Sequence, residues 1–107
     1  MKVYITLALL ATLLIAGCVQ QQESCTKKDT KLSMNIVEAR EIARSSECSK
    51  QGSVKTNYMC NEFSGTVWFD FVPNEPKEGC NPACVVNVES RAAEINWRCT
   101  GLVEPKK

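Results

Sequence analysis

Apolar residues are distributed in three different ways along the chain, and each predicts a different element. Val3 to Ala16 (VYITLALLATLLIA) is an almost unbroken apolar run behind the single charge of Lys2, and Gln20-Gln21-Gln22-Glu23 follows it. One basic residue ahead of a short apolar stretch is the arrangement of an export signal. The run is shorter than the roughly 20 apolar residues a membrane-crossing helix requires. Residues 1–17 are therefore expected to be a signal peptide. Val19 to Lys31 is polar and aperiodic and reads as a tether, so that residues 18–31 link the export signal to a folded part spanning 32–107.

The second pattern has helical spacing. Ile36, Ala39, Ile42 and Ala43 recur at intervals of three and four, with Glu38, Arg40, Glu41 and Arg44 on the opposite side. Asn35-Ile-Val-Glu38 reads as a capping box at the start of this stretch. The spacing predicts one helix over Leu32–Cys48, weakened at Ser45-Ser46 and ended before Gly52.

The third pattern is strict alternation, and it occurs twice. Ser53–Asn61 and Thr66–Val72 flank Glu62-Phe63-Ser64-Gly65, which predicts a hairpin pairing Tyr58 with Phe69, Cys60 with Val67 and Thr56 with Phe71 on its inward face. Met59, Trp68 and Asp70 take the other face. Cys84–Glu89 and Glu94–Cys99 flank Ser90-Arg91-Ala92-Ala93 as a second hairpin. Its inward face collects Cys84, Val86, Val88, Ile95, Trp97 and Cys99, and its outward face collects Val85, Asn87, Glu89, Glu94, Asn96 and Arg98. Val72–Pro82 carries three prolines and a glycine and reads as a loop. The expected fold class is α+β: one N-terminal helix packed on a small antiparallel sheet of two β-hairpins, stabilised by disulfides.

Composition narrows the function. The chain has 107 residues, seven Cys, no His, and 13 Lys+Arg against 12 Asp+Glu. Without histidine there is no Ser-His-Asp or Cys-His couple. Balanced charge argues against a nucleic-acid partner. No residue set calls for a cofactor, and Cys80-Asn-Pro-Ala-Cys84 lacks the spacing of paired zinc thiolates, so no metal is expected either.

Leu14-Ile15-Ala16-Gly17-Cys18 ends the apolar run in an aliphatic residue, two small residues and a cysteine. This stretch resembles the lipobox of prokaryotic lipoproteins. The resemblance implies cleavage before Cys18, a diacylglyceryl group on its sulfur and, in many bacteria, a further acyl chain such as palmitate. The partner so implied is a membrane, either the cell membrane or an outer membrane, with the folded part on the extracytoplasmic side. Two or more acyl chains anchor stably where one does not.

Lipidation of Cys18 leaves Cys25, Cys48, Cys60, Cys80, Cys84 and Cys99, and six cysteines admit 15 pairings. Structural disulfides suit a small exported domain. The predicted second hairpin sets Cys84 opposite Cys99 and favours that pair. Three arrangements of the other four stay open; Cys48 at the helix end is a reasonable partner for Cys80 of the loop, which would leave Cys60 for Cys25 in the tether.

Asn61-Glu-Phe-Ser-Gly65-Thr-Val67 and Glu89-Ser-Arg-Ala-Ala93-Glu-Ile95 share a polar-loop-small-aliphatic shape, and Val86-Asn-Val88 precedes the second. Together with the helix-then-hairpin order over Asn35–Thr100, these stretches resemble PepSY-like domains, in which the turn is D-x-x-T-G-x-V; here Glu89 and Ala92-Ala93 stand at its Asp and Thr-Gly positions. The resemblance implies a helix laid on a small sheet and a role in binding or restraining extracytoplasmic proteins.

Three functional readings follow. One helix covers only one sheet face, so Met59, Trp68, Val85, Asn96 and Arg98 would line an uncovered face suited to a protein partner, unless the Val72–Pro82 loop or the tether folds over Trp68. A non-catalytic binding or inhibitory module is the first reading. The alternatives are a thiol-disulfide oxidoreductase using Cys80 and Cys84, and an envelope component that self-associates through the same face.

Overall fold

A computed structural model describes residues 23–100; the expected export signal over 1–17, Cys18 and the segment after Thr100 lie outside these residues. The fold starts earlier than the apolar pattern suggests. Strand β1 (Ser24–Thr26) pairs antiparallel with β2 (Ser33–Asn35), setting Cys25 opposite Met34. Cys25 is wholly buried and Met34 is 2% exposed. The expected tether over 18–31 is thus corrected from Ser24 onward. Each of these strands is three residues long and turns only its central side chain inward, which is too short a run for alternation to register as a pattern.

Residues 36–51 form two short helices in place of the single expected one. Helix α1 (Ile36–Arg44) begins at Asn35, whose side-chain oxygen accepts from Val37 N at 2.7 Å and Glu38 N at 3.4 Å. Two of its first-turn donors, which no helical carbonyl can reach, are thereby satisfied. Ile36, Ala39 and Ala43 are buried and Ile42 packs against them. The break falls at Ser45-Ser46. Ser46 Oγ donates to Ala43 O at 2.6 Å and accepts from Cys48 N at 3.1 Å, closing α1 and capping α2 (Glu47–Gln51) with one hydroxyl. Gly52 ends α2 where a Cβ would lie 2.3 Å from Val72 O, so only glycine lets the chain enter the sheet there.

The main sheet has four antiparallel strands in sequence order: β3 (Gly52–Asn61), β4 (Thr66–Pro73), β5 (Ala83–Asn87) and β6 (Ala93–Asn96). Tyr58, Met59, Cys60 and Asn61 face Phe69, Trp68, Val67 and Thr66, as the alternation requires. Before Tyr58 the register shifts, so Phe71 meets Val54 and not Thr56, which is exposed. Arg40, expected on the solvated side of the helix, reaches this irregularity. Its Nη2 donates to Thr56 O at 3.3 Å and its guanidinium lies 5.7 Å from the Phe69 ring.

The second hairpin is displaced by four residues from expectation: Cys84 faces Ile95, not Cys99. Turn chemistry is the reason. Asn61 accepts from Phe63 N and Ser64 N and takes Gly65 N on its carbonyl, with Gly65 at φ 69°. Asn87 repeats this with Glu89 N, Ser90 N and Arg91 N, and Arg91 sits at φ 59°. The equivalent of Asn61 is therefore Asn87, two residues before Glu89, and the strand ends there. Four is an even shift, so the residues within β5 and β6 kept their faces, while Trp97 and Cys99, expected on the inward face, fall beyond the end of β6.

Three disulfides close the fold: Cys25–Cys60, Cys48–Cys84 and Cys80–Cys99. The expected Cys84–Cys99 and Cys48–Cys80 bonds are replaced, because Cys84 lies inside the sheet, fully buried beside Cys48 of α2. Cys80 instead ties the proline-rich loop to the segment after β6. The core joins both helices to the inner face through Val67, Phe69, Phe71, Cys84, Val86 and Val88.

Candidate functional site

The outer face of the main sheet is what the two helices leave open. The register draws a row straight across the strands: Met59 opposite Trp68, Trp68 opposite Val85, Val85 opposite Glu94. Side chains in one such row lie within roughly 5 Å of each other at Cβ, so Trp68 is flanked by an apolar side chain on each side. Met59 is 59% exposed, whereas Val85 is almost closed off. Val85 forms part of a hollow of about 190 Å³ with Thr66, Asn87, Ala92 and Glu94.

Trp68 is oriented by two contacts. Its indole N–H donates to Thr66 Oγ1 at 2.7 Å, two residues back on the same strand face. The Arg98 guanidinium lies 5.6 Å from the ring centroid, within the range of a cation–π contact. Arg98 is itself held: its backbone turns at φ 44°, Asn96 Oδ1 accepts its N–H at 3.0 Å, and its Nε donates to Asn81 O at 2.6 Å. The Cys80–Cys99 bond pins the same turn.

Of the five residues assigned to this face, Met59, Trp68, Val85 and Arg98 come together. Asn96 serves to shape the Arg98 turn. Asp70 and Glu94 add two carboxylates to the same face. Such a surface has an aromatic centre, a flexible thioether, a planar cation and a charged surround. It offers apolar contact area around a planar cation.

Cys80 and Cys84, the residues of the redox alternative, are bonded to Cys99 and Cys48 respectively. They do not form a pair with each other, and Cys84 is fully buried. Among the described residues, no three His, Cys, Asp or Glu side chains converge. No helix of the described residues is long and apolar enough to cross a membrane.

A second concavity went unread in the sequence. Trp97, expected on the inward face, is half-buried at the end of the sheet and lines a cleft of about 420 Å³ with Lys50, Gln51, Asn74, Glu75 and Lys77. Lys77 Nζ stands 4.1 Å from the Trp97 ring centroid. The only local signal was a lysine in the proline-rich loop, and nothing in the spacing brings residues 50, 77 and 97 together. Comparison with protein-family models, with curated proteins and with solved structures yields no match to this chain.

Proposed function

We propose that this chain is a lipid-anchored, extracytoplasmic module that binds or restrains a second protein through the outer face of its four-stranded sheet, without catalysing a reaction. The observation that carries the reading is Trp68, aligned between Met59 and Val85 and stacked by Arg98, on a face that neither helix covers. Trp, Met and Arg are enriched at the centres of protein interfaces. Three disulfides in a small domain suit an oxidising compartment, in keeping with the lipobox resemblance at Cys18 and attachment to the cell membrane or an outer membrane.

Trp68→Ala tests the reading. Crosslinking in native membranes should capture a partner with the parent chain and lose it with the variant, while thermal stability falls only modestly because the ring is only partly buried. A stability loss of more than about 3 kcal/mol, the scale of a core Trp truncation, would mark Trp68 as structural and remove the basis of the proposal. Concentration-dependent sedimentation abolished by Trp68→Ala would identify the second surface as another copy of this chain, the structural alternative.

A further inference from the structure

The Trp97 cleft lies at the opposite end of the molecule from the point where the chain enters the fold. Glu23 O accepts from Ile36 N and Cys25 is bonded to Cys60, which places the entry beside the β3–β4 turn. Trp97 follows β6, Asn74 follows β4 and Gln51 precedes β3, all at the other end of the antiparallel sheet. The eight residues of β4 separate the two ends by about 25 Å.

The cleft walls are fixed by bonds independent of any ligand. Asn74 N donates to Gln51 O at 2.7 Å, Cys80 N to Lys77 O at 3.1 Å and Asn81 N to Trp97 O at 3.0 Å. The Cys48–Cys84 bond holds α2 on one side and Cys80–Cys99 holds the loop on the other. The volume of about 420 Å³ falls in the range of small-ligand sites.

From its chemistry we infer that this cleft binds a carboxylate-bearing sugar ring. An indole offers a π face on which the apolar C–H face of a pyranose can lie. The side-chain amides of Gln51 and Asn74 each present a donor and an acceptor, the combination that pairs with neighbouring hydroxyls, and Glu75 adds an acceptor. Lys50 and Lys77 supply two ammonium groups, and among the described residues neither is in an ion pair. Lys77 rests instead on Trp97, a weak contact at an exposed position that a carboxylate can replace with a charge-assisted hydrogen bond. Within the lining one carboxylate stands against two ammoniums, and the Glu47 carboxylate beside it is held by Gln51 Nε2 at 3.2 Å; the Lys77 ammonium on Trp97 is therefore the group that selects an acidic sugar over a neutral one. If the anchor reading above holds, the six Cα–Cα steps from Cys18 to Ser24 span at most about 22 Å, and the cleft stands at the far end of the sheet from that attachment. Binding in the cleft does not depend on that reading.

The test uses the full chain in detergent, labelled with ¹⁵N, so that the two indole N–H resonances report separately and Trp97→Phe assigns them. Methyl β-glucuronide should shift the Trp97 resonance saturably and leave Trp68 unmoved. Methyl β-glucoside should bind at least about tenfold more weakly, the scale of one lost charge-assisted contact, and sodium acetate should produce no saturable shift. Lys50→Gln and Lys77→Gln, both exposed and expected to fold, should each weaken glucuronide binding severalfold. Absence of a saturable shift at Trp97, equal binding of the neutral glycoside, saturation by acetate alone, or a response confined to Trp68 would each overturn the inference.

Discussion

Replacing Cys48 and Cys84 together by alanine removes the bond between α2 and β5. Their sequence separation is 36; in the chain-entropy account, closing a loop of that size restrains the unfolded chain by about 3.8 kcal/mol. Both sulfurs are fully buried in the core between helix and sheet. Their deletion adds roughly 1 kcal/mol each for lost apolar contact and unfilled space. The expected cost is about 5–6 kcal/mol, a large part of the stability of a small domain. The Cys80–Cys99 pair provides the comparison. Its separation is 19, worth about 3.2 kcal/mol, and Cys99 is exposed, so Cys80→Ala/Cys99→Ala should leave no comparable void. Guanidinium unfolding of the parent and both double variants measures the difference directly. If Cys48→Ala/Cys84→Ala costs no more than the Cys80/Cys99 variant, the helix–sheet bond does not restrain the fold more than the loop bond does. Peptide mapping under non-reducing conditions gives the connectivity itself: a Cys84–Cys99 peptide would contradict the register of the second hairpin.

Two further perturbations probe the turn end of the molecule. Gly65 has φ 69°, and a Cβ there would lie 2.8 Å from Lys27 Cγ and Cδ, so Gly65→Ala should cost about 1–3 kcal/mol from backbone strain and displacement of Lys27. Gly79→Ala, at φ 79° with open space around it, bears the strain alone, and equal losses in the two variants would deny the Lys27 contact any part. Lys27 Nζ donates to Glu89 Oε1 at 2.7 Å, and that hydrogen bond raises its pKa above the ordinary lysine value. A raised folded-state pKa means the contribution is fully present below the unfolded-state pKa and is lost as pH climbs through the folded one. The stability gap between the parent and Lys27→Gln should therefore stay constant through neutral pH and close only in the alkaline range; a gap that closes near neutrality would refute the assignment.

Legibility followed the length of each pattern. The helical spacing of Ile36, Ala39, Ile42 and Ala43 and the alternation of Tyr58, Cys60, Val67, Phe69 and Phe71 each repeat often enough to assign a face, and those faces are the buried ones. Cys25 and Met34 belong to the same core but stand alone in their strands, so no repeat announced them. The error in the second hairpin came from its turn. Arg91 adopts the left-handed conformation that Gly65 adopts in the first, and an arginine gives no local sign of it. The candidate outer face was readable because an even register slip preserves sidedness. The Trp97 cleft was not, because its lining comes from a helix end, a loop and a strand end far apart in sequence.

Local pattern sets the periods: which residues of α1 and of the long strands turn inward, where Asn35 starts the helix, and that six cysteines are left to pair if Cys18 carries lipid. These follow from local geometry, in which side-chain direction repeats every 3.6 or two residues. Tertiary structure alone decided which cysteines meet, that Arg40 lies over Phe69, that Arg98 rests on Trp68, and that Lys77 rests on Trp97. Each of those contacts depends on how far one element slides along another. Periodicity sets the face an element presents but leaves that displacement free, and here it is turn conformation and the Cys48–Cys84 bond between α2 and β5 that fix it.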